Sequence, residues 1–147
     1  MGWQEKHSFL IARCLGYSGA IPFVGLSLAI LFSTDQLSDA QQWLFGYGVV
    51  ILSFLGGLHW GRIAAQTEQP PQPLWLVYST LPSLIGWFAW MMPASIGIGM
   101  LAGGFILCAI VDLQLIRKGI FASWMSELRL MLSAIAVLSL LSLYITL

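Results

Sequence analysis

Five long apolar runs separated by short polar segments set the pattern of this chain. They extend over about Phe9–Phe32, Trp43–Ala65, Leu74–Met92, Ile96–Ile116 and Leu128–Leu147. Each holds about 19–24 residues, matching the ~20 helical residues that cross ~30 Å of hydrocarbon. The segments between them break helices. STDQLSDAQQ (33–42) is polar, and QTEQPPQP (66–73) sets three prolines in four residues. A tight uncharged turn surrounds Pro93, and RKGIFASWMSE (117–127) is basic at its start. The pattern predicts an all-α polytopic membrane protein, a bundle of five transmembrane helices in one membrane-embedded domain over residues 1–147.

Details within the runs predict how the helices meet. Pro22 removes a backbone donor in the first run and predicts a kink there. Pro82 lies near the middle of the third run, and the fifth has neither Gly nor Pro. Gly57 and Gly61 form a GxxxG pair with Gly56 beside them, and Gly99 and Gly103 form a second. Small residues at that spacing let two membrane helices approach closely, so these glycines are expected at helix contacts. The first run is longer than the ~7–15-residue apolar core of a signal peptide and is expected to stay as a membrane helix.

Composition turns this pattern into a statement about solvent. The chain is 59% hydrophobic and 8% charged, against about 25% charged in soluble domains. Lipid must therefore cover most of the exterior, and the bilayer is the first partner. The formal net charge is zero, which argues against a nucleic-acid partner, since that needs a basic face. All six basic residues, Lys6, Arg13, Arg62, Arg117, Lys118 and Arg129, fall on the N-terminal side of the bundle. The positive-inside rule then predicts a cytoplasmic N-terminus and an outside C-terminus.

Candidate chemistry gathers at the same end. His59 is expected ~7 Å and Asp112 ~9 Å from the middle of their helices, both toward the cytoplasm. His59 and Arg62 share a helix face. An acid at this depth needs a partner. If the second and fourth helices touch, Asp112 meets His59, Arg62 or both, with Arg13 a further partner and Trp60 a wall residue. Two readings follow: a cytoplasm-side polar pocket, or a structural ion pair that locks two helices. Cys14 and Cys108 lie inside apolar runs and suggest no disulfide. His7 and His59 show no zinc spacing, and no Ser-His-Asp order or phosphate loop appears. No cofactor, metal or catalytic residue is expected.

The segments LGYSGAIPFVGL (15–26), SFLGGLHWG (53–61) and LPSLIGW (81–87), with the Asp112 end of the fourth helix, resemble a bacterial membrane-protein family of unknown function. That family also includes eukaryotic transmembrane protein 69. The resemblance implies a small multi-helix protein of the bacterial inner membrane and brings no assigned activity. It puts Gly56, Gly57, His59, Trp60 and Gly61 in a family motif. The functional expectation is an accessory, assembly or interaction factor of a membrane complex, bound to another membrane protein or to a second copy of itself. The alternative is a binder or carrier of a lipid, a quinone or a proton through the polar pocket.

Overall fold

The computed structural model describes residues 3–32, 37–65, 72–122 and 124–147, so parts of the two predicted polar loops, 33–36 and 66–71, lie outside the described residues. Among these residues six helices follow in order: α1 Trp3–Ser18, α2 Ile21–Phe32, α3 Leu37–Ala64, α4 Pro73–Met91, α5 Ala94–Arg117 and α6 Met125–Ile145. Among the described residues there is no strand. Among the described residues five stretches are long and apolar enough to cross a membrane, the first being Phe9–Phe32, which joins the end of α1 to α2. The chain is an all-α, multi-pass membrane protein.

The first span is interrupted, where the sequence predicts a kink. Pro22 has no N–H to offer the Ser18 carbonyl, and its ring disfavours helical geometry in the residue before it. The chain tightens instead: Gly19 N–H donates to the Gly16 carbonyl at 3.1 Å and Ala20 N–H to the Tyr17 carbonyl at 3.0 Å. Ordinary helix resumes with Val24 N–H donating to the Ala20 carbonyl. The second span also differs, because α3 starts at Leu37, ahead of the predicted Trp43. Ala40 and Leu44 are buried one turn apart, which carries the helix back through the polar segment. Gln41 then ties the start of α3 to the end of α6, its side-chain amide donating to the Thr146 carbonyl at 3.2 Å and to Thr146 Oγ1 at 3.1 Å.

The helices pack α3 on α4, α4 on α5 and α5 on α6, with α2 against both α3 and α6. Helices α3 and α5 also touch, the adjacency that a shared polar site requires. Phe23, Leu44, Leu52, Leu101, Phe105 and Leu140 fill the centre. There the Phe23 ring stands edge-on to Tyr47 at 4.9 Å and to Phe105 at 5.9 Å. Outward positions remain apolar, with Leu10, Phe32, Leu74 and Ile145 more than half exposed, as a lipid-facing surface requires.

Of the glycines expected at helix contacts, Gly56 takes that place, while Gly57, Gly61, Gly99 and Gly103 do not, and Gly104 packs in their stead on α5. A Cβ on Gly56 would strike the Ser79 carbonyl oxygen and press on Pro82, so the bare backbone lets α3 and α4 close on each other. A Cβ on Gly104 would come within 2.7 Å of Leu52 Cδ2, at the α3–α5 contact. The predicted pairs Gly57/Gly61 and Gly99/Gly103 have no neighbour within 4 Å of a Cβ and face outward. Successive residues on a helix point about 100° apart, so a shift of one position turns a packing glycine into a lipid-facing one.

Candidate functional site

Three helices bring one charged side chain each to a common point inside the bundle. Asp112 of α5 is 2% exposed, His59 of α3 3% and Arg129 of α6 5%. The carboxylate divides its oxygens between the two neighbours. Oδ1 lies 2.8 Å from His59 Nε2, and Oδ2 lies 3.3 Å from Arg129 Nε. The His59–Asp112 approach has ion-pair distance without the alignment of a hydrogen bond, and neither atom has another hydrogen-bond partner among the described residues. A single carboxylate therefore holds α3, α5 and α6 together.

An aromatic collar surrounds the imidazole. Tyr78 of α4 stands edge-on to His59 at 5.1 Å, and Phe121, just beyond α5, closes another side at 5.4 Å. Trp75 backs Tyr78 edge-on at 5.8 Å. Cys108 is buried one turn before Asp112 on the same face of α5. Among the described residues, no group of three or more His, Cys, Asp and Glu stands close enough to hold a metal ion.

The other sequence-derived candidates are dispersed. Arg62 does not reach Asp112; it is exposed and shares with His59 the lining of a cavity of about 170 Å³, with Gln72, Trp75 and Phe121. Arg13 faces Glu127 at 3.8 Å, both largely exposed, in the kind of surface pair that water and salt screen. Trp60 is half-exposed and lines none of the cavities described.

From the sequence, Arg129 belongs only to the basic end that sets the orientation. A helix starting at Leu128 puts Arg129 at the membrane edge, whereas α6 starts at Met125 and carries it ~6 Å inward. The usable signal is periodicity. Arg129, Ala136, Leu140 and Leu143 recur at helical spacing along one stripe, and all four are buried.

Arg129 also faces a second space. A cavity of about 420 Å³ lies among α1, α2, α3 and α6, with Phe105 of α5 also at its wall. Leu15, Phe23, Phe54, Leu58 and Leu132 give it an apolar lining, in which Arg129 is the one charged side chain among the described residues. The hydrogen bonds found among the described residues include none from the terminal guanidinium nitrogens of Arg129. The cluster thus stands as a wall between two cavities, His59 touching the smaller and Arg129 the larger.

Comparison with known proteins identifies the kind of chain that carries this arrangement. The profile of a family described as "Protein of unknown function (DUF3429)" matches residues 10–145. The chain belongs to this family. Transmembrane protein 69 of Xenopus tropicalis is 34% identical, over 88% of this chain and 51% of that protein. The chain thus spans about half the length of that relative. No solved structure matches. The family region includes His59, Asp112 and Arg129 and every residue that lines the larger cavity.

Proposed function

We propose that the protein binds one amphiphilic small molecule, a lipid or a quinone, in the 420 Å³ cavity with its polar head at Arg129. The observation that carries this reading is the buried arginine at the wall of an otherwise apolar space. The volume falls within the ~300–1,000 Å³ of small-molecule sites. A guanidinium presents a planar fork of donors suited to carboxylate, phosphate or carbonyl oxygen. With Nε engaged by Asp112, the two terminal nitrogens are the donors left for a ligand.

The orientation follows from charge. Under the positive-inside rule, the end that bears the cluster faces the cytoplasm, the N-terminus is inside and the C-terminus outside. The assignment to a bacterial inner membrane rests on the family resemblance. Native mass spectrometry of the gently extracted protein tests the ligand reading. A reproducible small-molecule adduct is expected on the wild type and should be absent from the Asp112→Asn/Arg129→Gln double variant, which keeps the cluster neutral without its cation. No adduct, or equal occupancy in the variant, would overturn it.

A second reading, an accessory or assembly factor, draws support from the outward glycines Gly57, Gly61, Gly99 and Gly103. Such faces suit the close approach of another membrane helix. The same spectra would then show a stoichiometric protein partner or a second copy of the chain, unchanged by the double variant.

A further inference from the structure

We infer that the larger cavity takes an anionic single-chain amphiphile and that one proton enters with it, reaching the cluster through His59 from the smaller cavity. This rests on the ligand reading above. It follows from counting charge in a space that tolerates no excess. Asp112 and Arg129 form a neutral pair, both almost fully enclosed. An anionic head bound to the terminal nitrogens of Arg129 would bring the net charge to minus one, inside a part of the membrane where an excess charge is costly. A proton restores neutrality.

The geometry supplies one route for that proton. His59 is the member of the cluster that lines the smaller cavity, beside the exposed Arg62 and Gln72. Its Nε2 stands 2.8 Å from Asp112 Oδ1, and neither atom is otherwise satisfied. A proton that arrives on His59 makes an imidazolium, whose N–H aligns on Oδ1 after a small ring rotation. Asp112 then has a cation on each oxygen, and Arg129 can share its charge with the ligand. The titratable and charged groups around His59 are Asp112 and Cys108 from α5, Tyr78 from α4, Arg129 from α6 and Arg62 from its own helix. Among these, His59 is the group that touches both the smaller cavity and the carboxylate.

The test uses the whole chain in lipid nanodiscs and hexadecyl sulfonate, a probe that stays anionic at every pH used. Titration calorimetry in two buffers of different ionisation enthalpy counts protons. The expected result is one proton taken up per sulfonate bound, with affinity falling as pH rises. The neutral analogue hexadecanol should bind with no proton uptake. His59→Gln should bind the sulfonate more weakly, with no proton uptake and a flat pH profile. Saturable sulfonate binding by the wild type without proton uptake would overturn the coupling and leave the ligand reading standing. No saturable binding of either probe would overturn both.

Discussion

The Asp112–Arg129 contact makes a sharp prediction about stability. Replacing Arg129 by Met leaves the Asp112 carboxylate 2% exposed with His59 as its neighbour, and replacing Asp112 by Leu leaves the Arg129 cation in an apolar wall. Removing one partner of a buried pair costs about 3–5 kcal/mol, chiefly because the other charge is left uncompensated. Burial here is nearly complete, so solvent screening gives little relief. A loss of that size is a large share of a typical ~5–15 kcal/mol folding free energy, so each single variant should also give less folded protein. The Arg129→Met/Asp112→Leu double variant removes both charges and fills their space with apolar atoms. Such replacements are often neutral, or stabilising by about 1–4 kcal/mol. The cycle should therefore show strong coupling, with the double variant at or above the wild type and both singles well below it. Reversible unfolding in mixed micelles, followed by far-ultraviolet circular dichroism, supplies the four free energies. Additive losses, with the double variant at the sum of the singles, would refute the claim that these two charges compensate each other inside the bundle.

The remaining predictions concern packing, anchoring and orientation. Gly56→Ala should lose about 1–3 kcal/mol in the same assay, because its Cβ meets the Ser79 carbonyl, while Gly57→Ala should cost nothing. Equal effects would place the α3–α4 contact elsewhere. Gln41→Ala removes both bonds to Thr146 and should cost about 1–3 kcal/mol, with faster hydrogen exchange at the C-terminal end of α6 as its specific signature. A reporter fused after Leu147 should be active outside the cytoplasm, and a cytoplasmic signal would reverse the orientation read from the basic residues.

Much of the fold could be read from the chain because a bilayer admits few solutions. A span must be about 20 residues long and satisfy its own backbone, so the length of an apolar run identifies a helix. The Asp112 site was legible for a related reason, since a carboxylate one or two turns inside a membrane helix calls for a partner. His59 follows from similar depth on a helix that touches α5. The register of each helix about its own axis was less accessible. Nothing in the spacing of Gly56, Gly57 and Gly61 says which of them faces α4; that depends on Pro82 and the Ser79 carbonyl lying opposite. The same ambiguity made Arg62 look like a partner for Asp112. It lies three residues beyond His59, close enough in angle to share its face, yet almost one turn nearer the end of α3, where it is exposed.

The larger cavity could not be read from any single run, because it arises from the way one proline changes the course of the chain. An unbroken first span would give one helix a continuous face to pack along. Pro22 instead divides it, and the two parts pack differently: α2 lies against α3 and α6, while α1 contacts α6. Gly16 and Gly19, at the interruption, belong to the cavity lining, and Gly16 lies against Leu128, where a Cβ would come within 2.7 Å of its Cδ2. Opposite them stand Leu128, Arg129 and Leu132 from the first turns of α6, a helix that starts early enough to carry its arginine inward. The opening in the bundle and the charge at its wall thus come from separate local features, a proline-induced break and an early helix start. Neither alone makes a binding site. Their meeting beside Asp112 joins an apolar space to a cation paired with a carboxylate that also touches an imidazole, the arrangement on which the proposed amphiphile site rests.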